Sequence, residues 1–361
     1  MSNRVVVTNT TAPRRAELRW RSVKIRKSLD DICHTMELEL PSSERGRVRK
    51  HDRIQVHVAN PLITDHGGRR LVATIMVDEV TASADASNCN VAVLGRSPAR
   101  DIVDSTWSDT SWPADGGGAT LTDLVRMVGR RLGWDDEMVH AFPEGNPPRD
   151  PTEQVGFFRW DIESPWAKLL TEADGQGFMI TSSAAGGLFI WRPSRTLRNE
   201  GFRIEEGAGV RSVEIRENGA EQFHEYVVVG NFKRAVIRDD TCRNRRVLTI
   251  DVTREGVHPN QLARRAETEM LRRREARIAV TVSGWGLSDP QIRRLGDTAR
   301  REIIWSPNFL VEVSVPSMGV SENLLVADVE HEADALSMRS TVTLVRREMV
   351  TGRAVLMEIM E

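Results

Sequence analysis

Alternating apolar and polar residues near both ends of the chain predict β-strands that bury one face. Ile54, Val56 and Val58, for example, are separated by single polar residues, which is the period of a strand. The same pattern predicts strands at residues 36–40, 71–80, 90–95, 223–229, 246–252, 278–282, 308–315, 324–330 and 338–345. Residues 20–96 thus predict an antiparallel barrel or sandwich, with the polar segment 81–88 as a hairpin connection.

Helical spacing of apolar residues replaces this alternation in the middle of the chain and once more near residue 262. The predicted helices follow Thr120, which with Asp123 has the pattern of an N-cap, and Ser164, which precedes a proline. A third starts at Pro259. Their expected apolar faces are Leu121, Leu124, Val125, Val128 and Leu132, then Trp166, Leu169 and Leu170, then Leu262, Ala266, Met270 and Leu271.

The segments around these helices predict turns and loops. Residues 178–193 predict a hairpin that turns at Ala185, Gly186 and Gly187. Residues 104–118, rich in Gly, Ser and Asp, predict a loop, and the Pro-rich residues 140–154 predict a surface connection.

Length and charge limit the class of protein. A chain of 361 residues exceeds the usual size of one hydrophobic core, so two or more subdomains are expected. Lys and Arg total 50 against 52 Asp and Glu, a formal net charge of -2, so no overall field attracts nucleic acid or anionic lipid. No run of about eighteen apolar residues and no signal-like segment is present, which predicts assembly in the cytosol.

The cysteines and histidines show no metal-ligand or catalytic spacing. Cys33, Cys89 and Cys242 lie far apart and are expected to be reduced, partly buried thiols. A structural or solvated role is expected for the eight histidines, which include His51, His57, His224, His258 and His331. We therefore predict no catalytic, cofactor-binding or metal-binding residues.

Other candidate motifs also favour structural interpretations. Ser97 and Ser283 lack the spacing of a nucleophile elbow, and residues 116–118, three glycines before a helix, lack a following phosphate-binding lysine. A peptidoglycan hydrolase would need two converging carboxylates. The acidic groups that could serve, all in polar loops, are Glu205, Glu206, Asp135, Asp136 and Glu137.

The arginine-rich third helix admits a nucleic-acid interpretation. Its cations are Arg264, Arg265, Arg272, Arg273, Arg274 and Arg277. Glu267, Glu269 and Glu275 interleave with them at spacings that favour pairing along the helix. A solvated or intersubunit face is therefore expected rather than a phosphate-binding surface.

The first and last regions resemble each other. DRIQVHV, LVATIMVDEV and NVAVLGR stand in the same order as NFLVEVSV, LLVADVEHEA and STVTLVRR, with Leu71, Val72 and Ala73 matched to Leu325, Val326 and Ala327. Two related barrels in one chain are the simplest interpretation, and chance similarity of short strands is the alternative. Three copies would present six quasi-equivalent units around one axis.

Four stretches of the chain resemble a known family. They are WRSVKIRKSLDDICHTMELEL at residues 20–40, GRSPARDIVDS at 95–105, FHEYVVVGN at 223–231, and the long run from Ala263 that includes SPNFLVEVSVP. In these stretches the chain is similar to the gpP-like baseplate hub family of phage Mu. The similarity extends with gaps over residues 20–348 and lies in the order of the pieces rather than in one short motif.

This resemblance implies an α+β, mainly β protein with two similar antiparallel β-barrels and an intervening α/β region, forming a hub-type ring. The expected divisions are 1–105 for the first barrel, 106–200 for the middle region, 201–258 for connecting strands, and 259–361 for a helix and the second barrel. The two barrels are predicted to pair edge to edge between subunits.

The resemblance also implies a non-enzymatic role in the tail baseplate of a virion assembled in the host cytoplasm. The expected partners are two further copies, the tail tube or a tube-adjacent protein, the central spike and the wedge proteins. DNA would pass through the lumen without specific binding; no cofactor and no membrane insertion are expected. The alternative is the hub of a contractile bacteriocin or secretion machine.

Overall fold

The fold is given by a computed structural model, which describes residues 4–59, 68–84, 89–112, 119–141, 158–176, 178–191, 198–231, 233–253, 262–274, 276–286 and 304–351. The strands of the first half of the chain are β1 Arg4–Asn9, β2 Ala16–Leu18, β3 Ser22–Ser28, β4 Thr35–Pro41, β5 Arg53–Ala59, β6 Arg69–Ala84, β7 Cys89–Arg96, β8 Trp107–Trp112, β9 Val139–Ala141 and β10 Phe158–Glu163. Those that follow are β11 Met179–Ser182, β12 Leu188–Trp191, β13 Arg198–Glu205, β14 Val210–Arg216, β15 Glu225–Val229, β16 Arg234–Arg238, β17 Val247–Asp251, β18 Arg277–Ser283, β19 Leu310–Val315, β20 Val320–Asp334 and β21 Met338–Val345.

Five α-helices are found in the described part of the chain. They are α1 Arg100–Asp104, α2 Leu121–Arg131, α3 Pro165–Gln176, α4 Leu262–Arg274 and α5 Glu348–Thr351. The protein is therefore mainly β, as the sequence predicts.

Thirteen strands form one continuous sheet, here called the main sheet. Its order is β14-β18-β21-β20-β3-β4-β7-β6-β5-β1-β2, and β19 pairs with both β20 and β13. One cluster of buried side chains, including Ile25, Leu38, Ile54, Val280 and Val342, extends through the whole sheet. No closed barrel is found among the described strands, so the predicted pair of closed barrels is not confirmed.

The main sheet contains the same strand order twice. We call β1 and β3–β7 the amino-terminal half, and β13, β14 and β18–β21 the carboxy-terminal half. The orders are β1-β5-β6-β7-β4-β3 and β13-β19-β20-β21-β18-β14. All pairings inside both halves are antiparallel except that of β13 with β19.

Irregular backbone features recur at matching places in the two halves. His51 before β5 and Asn308 before β19 have the positive φ angles of 68° and 73°, which non-glycine residues seldom adopt. The His51 N–H donates to the Val77 carbonyl at 2.8 Å, and the Asn308 N–H donates to the Val326 carbonyl at 2.9 Å. A β-bulge follows each of these two valines. The two halves therefore share these backbone irregularities as well as their strand order.

The bulges fix which residues are equivalent between the halves. One row of cross-strand partners crosses four strands in each half. The rows are Val77, Gly95, Met36 and Ile25 in the first, and Val326, Leu344, Ile278 and Ile215 in the second. Ser22–Arg26 (SVKIR) is thereby equivalent to residues 212–216 (SVEIR).

This register corrects the sequence alignment of the two long strands. The sequence matches Val72 to Val326, but the structure makes Val77 equivalent to Val326, a shift of five residues. Each strand contains three valines, so apolar pattern alone does not fix their register. The register is fixed by the bulge and by the backbone hydrogen bond to the valine that precedes it.

The predicted strands are all present, and several are longer than the alternation indicates. In β20 the four consecutive residues 324–327 are all buried, because strands or side chains cover both faces there, which removes the alternation. β6 continues to Ala84 and β7 begins at Cys89, so half of the predicted hairpin connection at 81–88 is strand. Residues 85–88 lie outside the described residues.

The middle region packs α2 and α3 against the sheet β11-β12-β9. The capping box of Thr120 and Asp123 is present, and the Ser164 hydroxyl accepts the Trp166 N–H at 3.2 Å. The α3 face is wrong at Leu170, which is 42% exposed. Residues 107–112, predicted as loop, form β8 and pair with β10.

The α4 helix covers the small sheet β16-β15-β17. Leu262, Ala266, Met270 and Leu271 are buried there, as predicted, together with Tyr226. Residues 254–261 lie outside the described residues, and with them the predicted helix start at Pro259. The Pro-rich residues 142–157 also lie outside.

Candidate assembly site

A continuous seam joins the two halves of the main sheet. β3 and β20 pair over seven rungs, from Ser28 opposite Asp328 to Ser22 opposite Asp334. On the inner face of the seam Ile25 is 0% exposed and Val23 is 1% exposed. Backbone bonds and apolar burial together make such a junction stable.

Charged side chains line the outer face of this seam. Lys24 Nζ lies 3.0 Å from Glu330 Oε2 and 3.7 Å from Glu332 Oε1, and hydrogen bonding to Glu330 raises the Lys24 pKa. Arg26 lies 3.9 Å from Asp328, which is two residues along β20 from Glu330, the residue directly opposite Arg26. Exposed pairs contribute little to stability, but they disfavour pairing of the same strands in another register.

A buried basic cluster lies on the inner face of the seam. Lys27, His34 and His331 are 4%, 5% and 0% exposed. His331 Nε2 donates to the Trp305 carbonyl at 3.0 Å, and Nδ1 lies 2.9 Å from Ser340 Oγ. Burial lowers the Lys27 pKa to about 8, and burial with the nearby Lys27 charge lowers the pKa of both histidines well below 6.5.

The sequence did not single out this cluster. Lys27 follows the last apolar position of a short alternating strand. A lysine is common at the end of a strand, so nothing in the local pattern indicates that its side chain is buried. Only the pairing of β3 with β20 places it opposite Val329, inside the protein.

Buried hydroxyl groups connect the middle region to the amino-terminal half. Ser182 Oγ donates to the Ile32 carbonyl at 2.6 Å and lies 2.8 Å from Ser97 Oγ. Ser97 Oγ accepts the His34 backbone N–H at 3.2 Å. These contacts leave Ser97 bonded to a hydroxyl and an amide rather than to an imidazole base, so they describe a structural link.

The other candidate residues from the sequence are dispersed. Asp136 bonds to Arg130, Glu205 to Arg203, and Glu206 accepts the Ser317 N–H. His224 Nδ1 lies 3.2 Å from the Asp239 carbonyl, and Ser283 Oγ accepts a bond from Arg211. No group of three or more His, Cys, Asp or Glu in the described ranges could hold a metal. His258 and residues 116–118 lie outside those ranges.

Two arginines of α4, Arg265 and Arg273, form ion pairs within the protein. Arg265 Nη1 lies 2.8 Å from Asp174 of α3 and Arg265 Nη2 lies 3.5 Å from Glu269. Glu269 also pairs with Arg273. Arg277, which follows the helix as the first residue of β18, lies 3.5 Å from Asp30 and 3.8 Å from Asp328. Of the predicted acid–base pairing along the helix, the part that involves Glu269 is therefore present.

The cysteines are free thiols, as expected. Cys33 and Cys242 are buried and Cys89 is half-buried; burial raises the pKa of Cys33 to about 12. Of the helices in the described residues, none has the length and apolarity needed to cross a bilayer.

Two of the strand edges that have no partner among the described residues lie in the main sheet, one in each half. One is the outer edge of β14, which pairs only with β18. The other is the last part of β6, residues 78–84, on the side where β5 has already ended opposite Met76. Unpaired edges of this kind are templates for strand addition.

Comparison with known proteins places these features in a family context. No protein-family model matches the chain. A curated relative, the baseplate hub protein gp44 of Escherichia phage Mu, is 22% identical over 359 residues, which covers 91% of this chain and 85% of the relative.

Solved structures share the fold. The 43 kDa tail protein of prophage MuSo2 from Shewanella oneidensis matches with a TM-score of 0.74 and 22% identity, covering 97% of this chain and 98% of that one. The E. coli c3393 protein, a component of the type VI secretion system, matches with a TM-score of 0.56 and 9% identity, covering 96% and 75%. The resemblance of this chain to Mu-like baseplate hub proteins, indicated by its sequence, is confirmed.

Proposed function

We propose that the protein is the structural baseplate hub of a contractile phage tail, forming a trimeric, pseudo-sixfold ring. In this role it joins the tail tube to the central spike and to the wedge proteins. It acts without catalysis or cofactor, in the virion, after assembly in the host cytoplasm. DNA passes through the ring without specific binding.

The observation that carries this proposal is the repeated strand order of the main sheet. Two equivalent halves in one chain allow three chains to offer six similar units to a sixfold partner. The rest of each chain remains threefold. The similarity to the Mu hub protein gp44 supports the same assignment.

The regions of the chain then have separate tasks. We assign 1–105 and 259–361, together with β13 and β14, to barrel-like ring units, completed by neighbouring strands, and the remainder of 201–258 to their connection. Residues 106–200 would lie outside or below the ring and hold neighbouring baseplate parts. Proximity labelling that places this region in the tube lumen would contradict the assignment.

Light scattering on the purified protein tests the ring. The expected mass is three times that of the 40.6 kDa chain. Obligate interfaces are large and apolar, so the trimer should persist on dilution. A monomer at high concentration would contradict the proposed ring.

A secretion or bacteriocin hub built on the same plan is the second candidate. The structural match to the type VI secretion component favours it. The genes beside this one distinguish the two, because capsid and terminase genes indicate a phage. A peptidoglycan hydrolase has no comparable support, since the candidate carboxylates of the described residues do not converge.

A further inference from the structure

We propose that β14 of one copy pairs with the free edge of β6 in the next copy, in the register that β3 and β20 use within one chain. The partner is thus a second copy of this chain. The proposal rests on the proposed ring and specifies the strands that close it.

The equivalence of the halves leads directly to this pairing. In the sheet, β3 of the amino-terminal half pairs with β20 of the carboxy-terminal half. The equivalent of β3 is β14, and the equivalent of β20 is β6. Each of these two strands keeps, among the described residues, the edge that its counterpart uses in the seam.

The register of the proposed junction can be transferred residue by residue. In the seam Ile25 lies opposite His331 and Lys24 opposite Glu332. The equivalent pairs are Ile215 opposite Ala82 and Glu214 opposite Ser83. Arg216 then lies opposite Thr81, and Val213 opposite Ala84.

Side-chain burial in the single chain is consistent with a missing neighbour. Val23 and Ile25, on the strand that pairs with β20, are 1% and 0% exposed. Their equivalents Val213 and Ile215 pack against the same core but remain half-buried. Pairing with β6 would remove this apolar surface from water, which is favourable at about 25 cal/mol per Å².

Charges at the proposed junction are also complementary. Arg26 and Asp328 lie 3.9 Å apart across the seam, and their equivalents are Arg216 and Glu79. Glu214 would face Ser83 rather than another acid. The transferred register therefore brings an opposite pair together and places no like charges directly opposite, which would be destabilising.

Such pairing makes two kinds of junction alternate around a ring. One kind, β3 with β20, lies inside each chain, and the other, β14 with β6, lies between chains. Both junctions use equivalent strands in the same register. The two halves that meet at one junction therefore have nearly the same relative orientation as the two halves that meet at the other. A ring of three chains then closes with the free edges of β14 and β6 paired in every chain.

A cysteine pair tests the register directly. Glu214→Cys and Ser83→Cys are combined in a Cys89→Ser background, because Cys89 lies opposite Ala84 and would compete. Directly opposed residues have Cβ atoms about 4.5–5.5 Å apart, within reach of oxidation or a short bismaleimide. The expected product on a denaturing gel is a ladder of two and three linked chains.

Lys24→Cys with Ser83→Cys is the matched control. Lys24 is equivalent to Glu214, but its strand edge is already occupied by β20, so no linked chains are expected. Equal linking in the control would overturn the proposed register.

The mass of the unoxidised variant separates the two proposals. A trimer that does not link shows that other surfaces hold the ring, which overturns the strand pairing and leaves the proposed function. A monomer that does not link overturns both. Linked trimers from the test variant alone support the pairing.

Discussion

The two halves of the main sheet differ chiefly in what lies at their outer edge. β3 and β14 carry nearly the same five residues, SVKIR and SVEIR, and each pairs with its neighbour in the same way. Yet Ile25, whose strand also pairs with β20, is fully buried, whereas Ile215, whose strand has no second neighbour among the described residues, is half-buried. Burial at equivalent positions is thus decided by the next strand in the sheet and not by the local sequence.

The largest predicted effect comes from truncating the covered isoleucine. Ile25→Ala should lower the free energy of unfolding by about 2–5 kcal/mol, because it leaves a cavity in the closed seam. Ile215→Ala should lower it by only about 1 kcal/mol in separate chains, where the side chain still contacts water. Urea unfolding at low protein concentration measures both.

Protein concentration sharpens this comparison. If β14 is covered by a second copy, the cost of Ile215→Ala should approach that of Ile25→Ala once the ring has formed. Equal costs in separate chains would show that the two edges are already alike, contrary to the comparison.

The next effect concerns Lys27, a buried amine whose equivalent in the carboxy-terminal half is the exposed Glu217. Each pKa unit corresponds to about 1.36 kcal/mol, so the lowering from 10.5 to about 8 costs at most about 3 kcal/mol at neutral pH. Lys27→Met should therefore raise the free energy of unfolding at pH 7 by about 1–3 kcal/mol.

The pH dependence of stability gives a second measurement on Lys27. Between pH 8 and 10.5 the unfolded chain holds the Lys27 proton and the folded chain does not, so the free energy of unfolding should rise with pH. Lys27→Met should remove this rise, while Glu217→Met should keep it. An unchanged slope in Lys27→Met would contradict the assignment to Lys27.

The smallest effect concerns the two residues with positive φ. Glycine removes the strain of a Cβ in this conformation but adds freedom to the unfolded chain, so His51→Gly should stabilise by about 0.5 kcal/mol. Asn308→Gly should gain less, because asparagine tolerates this conformation better than histidine. Thermal unfolding of both variants compares them, and a loss of stability in His51→Gly would argue against strain there.

Most secondary structure could be predicted from the sequence because it depends on local patterns. The alternation around Ile54 and the capping residues Thr120 and Asp123 both specify their elements within a few residues. The sequence does not predict β8, because its Ser and Asp residues are typical of loops. This segment is a strand because it pairs with β10. Its partner lies about fifty residues away in the chain.

The candidate assembly site could be predicted only in outline. The internal repeat was visible in the alternating strands, but its register depended on the bulges after Val77 and Val326, which no residue pattern announces. The buried Lys27 was invisible for the same reason, since its surroundings come from β20.

By itself the sequence determined that the chain is mainly β, that it contains a repeated set of strands, and that it resembles the Mu hub family. The tertiary structure decided that the halves share one sheet, which edges are covered, and which edges remain free. Periodicity records only whether a side chain faces the core, whereas strand partners are chosen by contacts between distant segments. The surface available for assembly therefore follows from the fold and not from the pattern.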